Sequence, residues 1–155
     1  MATEQSIIDG LFRDYGSPRF RDVDYHGYDA VPRNIRMFLS MRVLESEITN
    51  GGLAQFLWNV FFHWRVIAED CAFAYAAIGA KPQAEAMPEI IRILATQEAN
   101  CGEYVARCIA SKDFSEFQAW CAVGESVMDL ALEPLFYDSD ALDTLRQGWI
   151  SSCAP

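Results

Sequence analysis

Residues 45–59 read Glu-Ser-Glu-Ile-Thr-Asn-Gly-Gly-Leu-Ala-Gln-Phe-Leu-Trp-Asn, and this stretch decides the fold. Apolar residues recur at helical spacing on both sides of Gly51 and Gly52. Two glycines in succession permit a left-handed backbone and a close approach of neighbouring chain. We therefore expect one helix to stop at the Asn-Gly-Gly corner, residues 50–52, and a second helix to follow. The second is apolar around most of its circumference, which is typical of the centre of a helical bundle.

Helical periodicity extends outward over most of the 155 residues, and no segment alternates apolar and polar residues convincingly. A first short helix is predicted over residues 4–14. The sequence predicts a single compact all-α domain of about six or seven helices. Residues 1–27 are expected to form an N-terminal helix and loop arm, and residues 28–155 the all-α domain. The predicted core includes Phe56, Val60, Leu94, Phe117 and Leu145.

Prolines and acidic residues mark the expected boundaries of the later helices. Pro88 is expected to begin or kink a helix, which weakens around residues 100–102. Asp113 and Glu116 resemble a capping box, and Glu133-Pro134 interrupts the helix that this box opens. The expected buried face of that helix is Phe114, Phe117, Trp120, Cys121, Gly124, Val127 and Met128.

The composition is that of a globular domain, with 52% hydrophobic and 22% charged residues. Five cysteines without a CxxC pattern favour free thiols in a reducing compartment over a disulfide framework. The beginning of the chain lacks the basic and apolar regions of a signal peptide, and charges break the longest apolar runs. We therefore expect a cytoplasmic protein with no membrane segment, no metal site and no cofactor.

The net charge of −10 is distributed unevenly along the chain. Residues 1–42 hold six acids and six bases, whereas residues 113–155 hold eight acids and one base, Arg146. An acidic field repels phosphate and attracts basic partners, so we expect no direct binding of nucleic acid. The alternative is that the acids only keep an apolar domain soluble. The eight acids are Asp113, Glu116, Glu125, Asp129, Glu133, Asp138, Asp140 and Asp143.

The segment around the corner is also the one local pattern that suggests chemistry. Gln55 and Asn59 lie four apart on one helix face, and His63 extends that line. With Glu45 or Glu47 as a general base they would form a small polar pocket. A buried network, in which the amides satisfy backbone groups freed at the corner, is the favoured interpretation. No established catalytic motif is present, so we expect no enzyme activity.

Four aromatic residues follow the corner at helical spacing. They are more typical of a core, or of a core with a dimer face, than of a cofactor site. These residues are Trp58, Phe61, Phe62 and Trp64.

One pattern resembles a known family. Tyr28-Asp29 and Pro32 precede a motif, Glu47-x-x-Asn50-Gly51-Gly52-x-x-Gln55-Phe56 with Asn59, that is similar to a bacterial family long filed as a domain of unknown function. The resemblance runs from about residue 28 to residue 150 and implies an all-α, commonly dimeric fold without known catalysis. In a studied member, surface carboxylates stand in for DNA phosphates and occupy the DNA site of a transcription factor. The shared motif is expected to be architectural.

The expected function is therefore that of an acidic DNA mimic that engages a basic DNA-binding protein through the eight acids named above. Carboxylates three or four apart on a helix lie about 5–6 Å apart at Cβ, which approximates the spacing of phosphates. Glu125 with Asp129, and Asp140 with Asp143, have such spacing. A structural or interaction module, regulatory or immunity-like, with incidental acidity is the alternative. A small-ligand binder or enzyme at the Asn-Gly-Gly corner is the third hypothesis.

Overall fold

Six α-helices and two short 3₁₀ helices make up the computed structural model, which describes residues 1–153 and contains no strand in that range. The prediction of an all-α domain of six or seven helices is confirmed. The α-helices are α1 (Glu4–Tyr15), α2 (Arg33–Asn59), α3 (Trp64–Ala77), α4 (Lys81–Ser111), α5 (Ser115–Val127) and α6 (Ser139–Cys153); the 3₁₀ helices span Gly27–Ala30 and Glu133–Phe136.

Helix α2 is the centre of the fold, and α1, α3, α4 and α5 all pack against it. It consists of two helical segments, because Gly52 interrupts it with a φ of 78° and a ψ of −173°. This conformation is accessible almost only to glycine. The predicted break at the corner is confirmed. Phe56 of the following segment and Val60, which comes directly after it, lie in the core as expected.

Helix α4 is longer than the sequence suggests. Pro88 lies inside it and does not begin it, and the helix does not weaken at residues 100–102. Tertiary packing overrides local propensity here. Cys101 is fully buried, and a Cβ on Gly102 would lie only 3.0 Å from the Phe61 ring, so the glycine permits a close approach. Leu94 is buried as predicted.

The predicted capping box of α5 does not form. Asp113 Oδ1 accepts the Ser115 N–H at 2.9 Å, but the Glu116 carboxylate binds Arg107 Nε at 3.0 Å. The buried face is also narrower than predicted, because Phe114 and Val127 are 56% and 49% exposed. Of the seven predicted positions, Phe117 and Cys121 are half-buried. The remaining three, Trp120, Gly124 and Met128, are buried as predicted.

The core prediction was wrong for Leu145, which is 37% exposed. Helix α6 packs through positions four apart, Leu142, Arg146 and Ile150, and Leu145 lies beside that stripe. The sequence pattern predicts Leu142, Leu145 and Trp149 on the inward face, whereas the structure places Arg146 at the middle of that face.

A buried ion pair joins α2 to α3. Arg36 binds Asp70 through two bonds, Nε to Oδ2 at 2.5 Å and Nη2 to Oδ1 at 3.1 Å. The Tyr28 hydroxyl shares a 2.7 Å hydrogen bond with Ser40 Oγ beside this pair, and burial raises the pKa of Tyr28. All five cysteines are free, as expected, and burial raises the pKa of the Cys71 thiol. Within residues 1–153, no helix combines the length and apolar character that crossing a membrane requires.

Candidate functional site

The polar side chains of the corner form a network around one carboxylate. Glu47 Oε2 accepts hydrogen bonds from Gln55 Nε2 at 2.7 Å and from Asn59 Nδ2 at 2.8 Å. Gln55 and Asn59 therefore share a face, as predicted, but they bind a carboxylate and not backbone groups freed at the corner. Asn50 stays exposed, and its Nδ2 donates to Ser46 Oγ at 3.3 Å. The network fastens the second segment of α2 back onto the first.

His63 does not extend this line, because α2 ends at Asn59 and the chain turns before α3. Its ring is buried against Phe20 and Tyr25, and Nε2 lies 3.3 Å from the carbonyl oxygen of Asp22. His63 is therefore separate from the polar pocket that the sequence suggested.

Glu133 caps the corner from a distant part of the chain. Its Oε1 accepts the Leu53 N–H at 2.7 Å, at the beginning of the second segment of α2. Glu133 is only 7% exposed, so its prediction as a partner-facing carboxylate was wrong. Burial raises its pKa, and the nearby Glu125 carboxylate adds to that effect although the hydrogen bond from Leu53 opposes it. The residue acts as a helix cap.

Glu45, the other candidate base, belongs to a second network. Both of its carboxylate oxygens accept from Arg146 Nη1, at 2.7 and 3.0 Å, and the Tyr75 hydroxyl donates to it at 2.8 Å. Arg146 also binds Asp143 and Glu4. Burial alone would lower the pKa of Arg146, but Glu45 and Glu4 raise it, so the guanidinium stays charged. This network joins α1, α2 and α6.

The corner is not closed to solvent. A cavity of about 240 Å³ contains Asn50, Gly52 and Glu125 in its wall, and a neighbouring one of about 370 Å³ contains Asn50, Tyr137 and Asp143. The two cavities share Asn50 and Tyr137, so Glu125 and Asp143 flank the same end of the molecule. The concave surface that the ligand hypothesis requires is therefore present.

The eight predicted acids differ in their surroundings. Glu116 and Asp143 each bind an arginine, and Glu133 is buried. The others are exposed and form no ion pair within residues 1–153; they are Asp113, Glu125, Asp129, Asp138 and Asp140.

These acids do not form one row. Asp113 precedes α5 and Glu125 lies in its last turn, so a rise of about 1.5 Å per residue separates them by about 18 Å. Asp129 lies beyond the end of α5, where its Oδ1 accepts the Ala131 N–H at 3.0 Å. Glu125 and Asp129 therefore do not share a helix face, contrary to the prediction. Asp138 likewise accepts the Ala141 N–H at 3.1 Å, in the first turn of α6.

The aromatic residues after the corner divide into two groups. Trp58 and Trp64 are buried, whereas Phe61 and Phe62 are half-buried. Both phenylalanines line a groove of about 200 Å³, whose rim includes Ile109 and the exposed Phe114.

Sequence reasoning also missed a cavity of about 590 Å³ beside the Glu47 network. Three arginines line it, Arg19, Arg21 and Arg42. The available signal was the balance of charge in residues 1–42, where six bases offset six acids in an otherwise acidic chain. Nothing local indicated that three of these bases meet. Within residues 1–153, no group of three or more His, Cys, Asp or Glu side chains is arranged to hold a metal ion.

Comparison with known proteins places the chain in a sequence family. A family model described as DMP19-like protein matches residues 29–150, which is more than half of the chain. No curated protein and no solved structure matches the chain.

Proposed function

The chain belongs to the DMP19-like family, and from this premise we propose that it is an acidic binding protein that occupies the DNA site of a basic DNA-binding protein, such as a transcription factor. In this proposal the protein is not an enzyme and acts in the cytoplasm. Glu45 and Glu47, the two candidate bases, are both engaged in networks with donors from the same chain.

One observation carries the proposal. Residues 113–155 contain a single base, Arg146, and its side chain is 1% exposed and bound by three carboxylates. No exposed basic side chain therefore belongs to residues 113–153. Arg107 of α4 pairs with Glu116, and five exposed carboxylates are left without an ion pair among the described residues: Asp113, Glu125, Asp129, Asp138 and Asp140. Such a surface attracts basic partners and raises the rate of their association.

The surface we propose for the partner lies around the end of α5 and the start of α6. We call it the acidic surface, and its members are Glu125, Asp129, Asp138, Asp140 and Asp143. Asp113 and Glu116 lie at the opposite end of α5 and are left outside it. The sequence prediction is thus narrowed from eight residues to five.

We also propose that the protein forms a homodimer through the aromatic groove. Ile109 and Phe114, at the rim of the groove, are 61% and 56% exposed. Burial of apolar surface of this kind favours association. The groove contains none of the five acids, so a dimer would leave the acidic surface free.

The test is a charge-reversal variant, Glu125→Lys with Asp129→Lys and Asp140→Lys. These three side chains are exposed and form no ion pair with described residues. The matched control is Asp24→Lys with Glu69→Lys and Glu103→Lys, which changes the net charge equally at exposed positions elsewhere. The wild-type chain and both variants serve as bait in lysate of the source cell, and captured proteins are identified by mass spectrometry at low and high salt.

We expect the wild-type chain and the control to capture a basic DNA-binding protein that duplex DNA displaces, and the triple reversal to lose it. The complex should weaken with salt, but less steeply than the partner's own DNA complex, because carboxylates lack the condensed counterions of a duplex. Circular dichroism should show unchanged helicity. A partner that is not basic, that DNA does not displace, or that binds the triple reversal equally well would favour the interaction module with incidental acidity.

A further inference from the structure

We propose that the cavity beside the Glu47 network binds a small phosphorylated molecule that carries hydroxyl groups, such as a sugar phosphate or a nucleoside monophosphate. We call this cavity the arginine cleft. It lies between residues 18–21, which follow α1, and both segments of α2. Its volume of about 590 Å³ falls within the range of small-ligand sites, roughly 300–1,000 Å³.

The cleft concentrates positive charge in a protein of net charge −10. Its charged lining consists of Arg19, Arg21 and Arg42 against one carboxylate, Glu47. Arg42 is half-exposed, and its closest ion pair within residues 1–153 is a long one, Nη1 to Glu4 Oε1 at 3.9 Å. Arg19 forms a 3.3 Å pair with Asp22 and stays 67% exposed. These guanidinium groups retain donors for an anion, and their planar forks match the geometry of phosphate.

A preorganised polar wall holds one of these arginines in place. Arg21 Nη2 donates to Asn59 Oδ1 at 2.8 Å, and Asn59 Nδ2 donates to Glu47 Oε2 at 2.8 Å. Arg21 is thereby linked through Asn59 to the carboxylate that fastens the two segments of α2. The network of the corner consequently has a second role, since it holds the Arg21 guanidinium at the wall of the cleft.

The remaining lining explains why we choose a phosphate with hydroxyl groups over a bare anion. Glu47 repels a second anionic group on the ligand but accepts a hydrogen bond from a hydroxyl, as Ser46 Oγ also can. Phe20, Val43 and Val60 supply an apolar wall against which a sugar or a base can pack. The cleft combines three cations, one acceptor and an apolar wall. This combination fits a ligand with distinct anionic, hydroxyl and apolar parts.

The experiment is isothermal titration calorimetry of the full chain with three probes: ribose 5-phosphate, adenosine monophosphate and citrate. The test variants are Arg42→Gln and Arg21→Gln. The control is Arg92→Gln, which removes an exposed guanidinium of α4 that is already paired with Glu89. Thermal unfolding followed by circular dichroism verifies that each variant is folded.

We expect at least one phosphorylated probe to bind with a Kd of about 1 mM or tighter, and each cleft variant to weaken it by about tenfold or more. Arg92→Gln and the triple reversal of the acidic surface should leave this Kd unchanged. The proposal is overturned if neither phosphorylated probe binds, if citrate binds as tightly as they do, or if Arg92→Gln weakens binding as much as the cleft variants.

Discussion

Glu133 and Leu53 are separated by 80 residues along the chain, yet the Glu133 carboxylate caps the helical segment that begins at Leu53. The bond supplies an acceptor at the point where Gly52 leaves the helical conformation. A corner predicted from local sequence is therefore completed by a residue of the C-terminal third.

Replacing Glu133 by Ala should lower the free energy of unfolding by about 1–3 kcal/mol, because the buried Leu53 N–H loses its acceptor. Glu133→Gln should cost less, since the amide oxygen can still accept. Urea unfolding measures both variants, with the exposed Glu103→Gln of α4 as a control that should change stability little. If Glu133→Ala and the wild type are equally stable, Glu133 does not stabilise the fold as a helix cap.

The stability that Glu133 contributes should depend on pH. Burial raises the pKa of Glu133 above its ordinary value of 4.5, so the folded state retains this proton to a higher pH than the unfolded state does. Between the two pKa values the folded state binds more protons, and stability therefore falls as pH rises. Urea unfolding at several pH values upward from 4 should show the wild type losing stability relative to Glu133→Gln. A difference that grows in favour of the wild type as pH rises would contradict the assigned direction.

Gly52→Val should lower the free energy of unfolding by about 1–3 kcal/mol through backbone strain, because the φ of 78° and ψ of −173° disfavour a β-branched residue. An added Cβ would also lie 2.6 Å from Glu133 Oε1 and displace the cap. The comparison is Gly148→Ala in α6, where an added Cβ meets no atom within 4 Å. The higher helix propensity of alanine should raise the free energy of unfolding by about 0.5–1 kcal/mol. Thermal denaturation measures both, and an unchanged melting temperature for Gly52→Val would be incompatible with the corner described above.

Gln55→Ala should cost about 1–3 kcal/mol, because the Glu47 carboxylate loses one of its two amide donors. Glu47→Lys should damage folding more severely, since it places a cation against both amides. Asn50→Ala is the control, because that side chain is exposed and makes only a 3.3 Å bond to Ser46. Urea unfolding measures the stability of each variant. If Asn50→Ala lowers the free energy of unfolding as much as Gln55→Ala, the Glu47 network does not stabilise the fold more than one exposed hydrogen bond does.

Arg146→Met should destabilise the fold by about 3–5 kcal/mol, because it leaves Glu4 and Glu45 buried without their cation. Arg92→Met, which removes an exposed guanidinium, should have no measurable effect on the melting temperature. Calorimetric melting of both variants makes the comparison. Similar melting temperatures would mean that the carboxylates find water or protonate at little cost.

Local features of this fold could be read from the sequence, whereas contacts between distant residues could not. Helical periodicity placed Gln55 and Asn59 on one face, and the paired glycines identified the break at Gly52. The partner of the two amides, Glu47, lies in the same helix, so its proximity to them could be predicted from local sequence. The all-α class followed from the same periodicity.

The predictions that failed share a cause. Each depends on contacts between side chains on separate helices or loops. Leu145 was assigned to the core because leucine is apolar, but Glu4 and Glu45 from two other helices draw Arg146 inward in its place. Glu133 was counted among surface acids because no local signal connects it to Leu53. The arginine cleft was missed for the same reason, since Arg21 and Arg42 meet only when the chain between them folds.

The ion pair between Glu4 and Arg146 joins residues 142 positions apart, and this bears on the order of events during biosynthesis. At a ribosomal rate of about 5–20 residues per second, Glu4 waits about 7–28 seconds before Arg146 is made. Docking α1 on α2 during that interval would bring the Glu4 carboxylate towards Glu45, whose pKa is raised first by burial and further by Glu4. Arg42 is already synthesised by then, but its Nη1 lies 3.9 Å from Glu4 Oε1, and Glu45 still lacks the guanidinium of Arg146. The helix synthesised first is thus expected to settle onto the nascent bundle among the last, after α6 has supplied the charge that both carboxylates require.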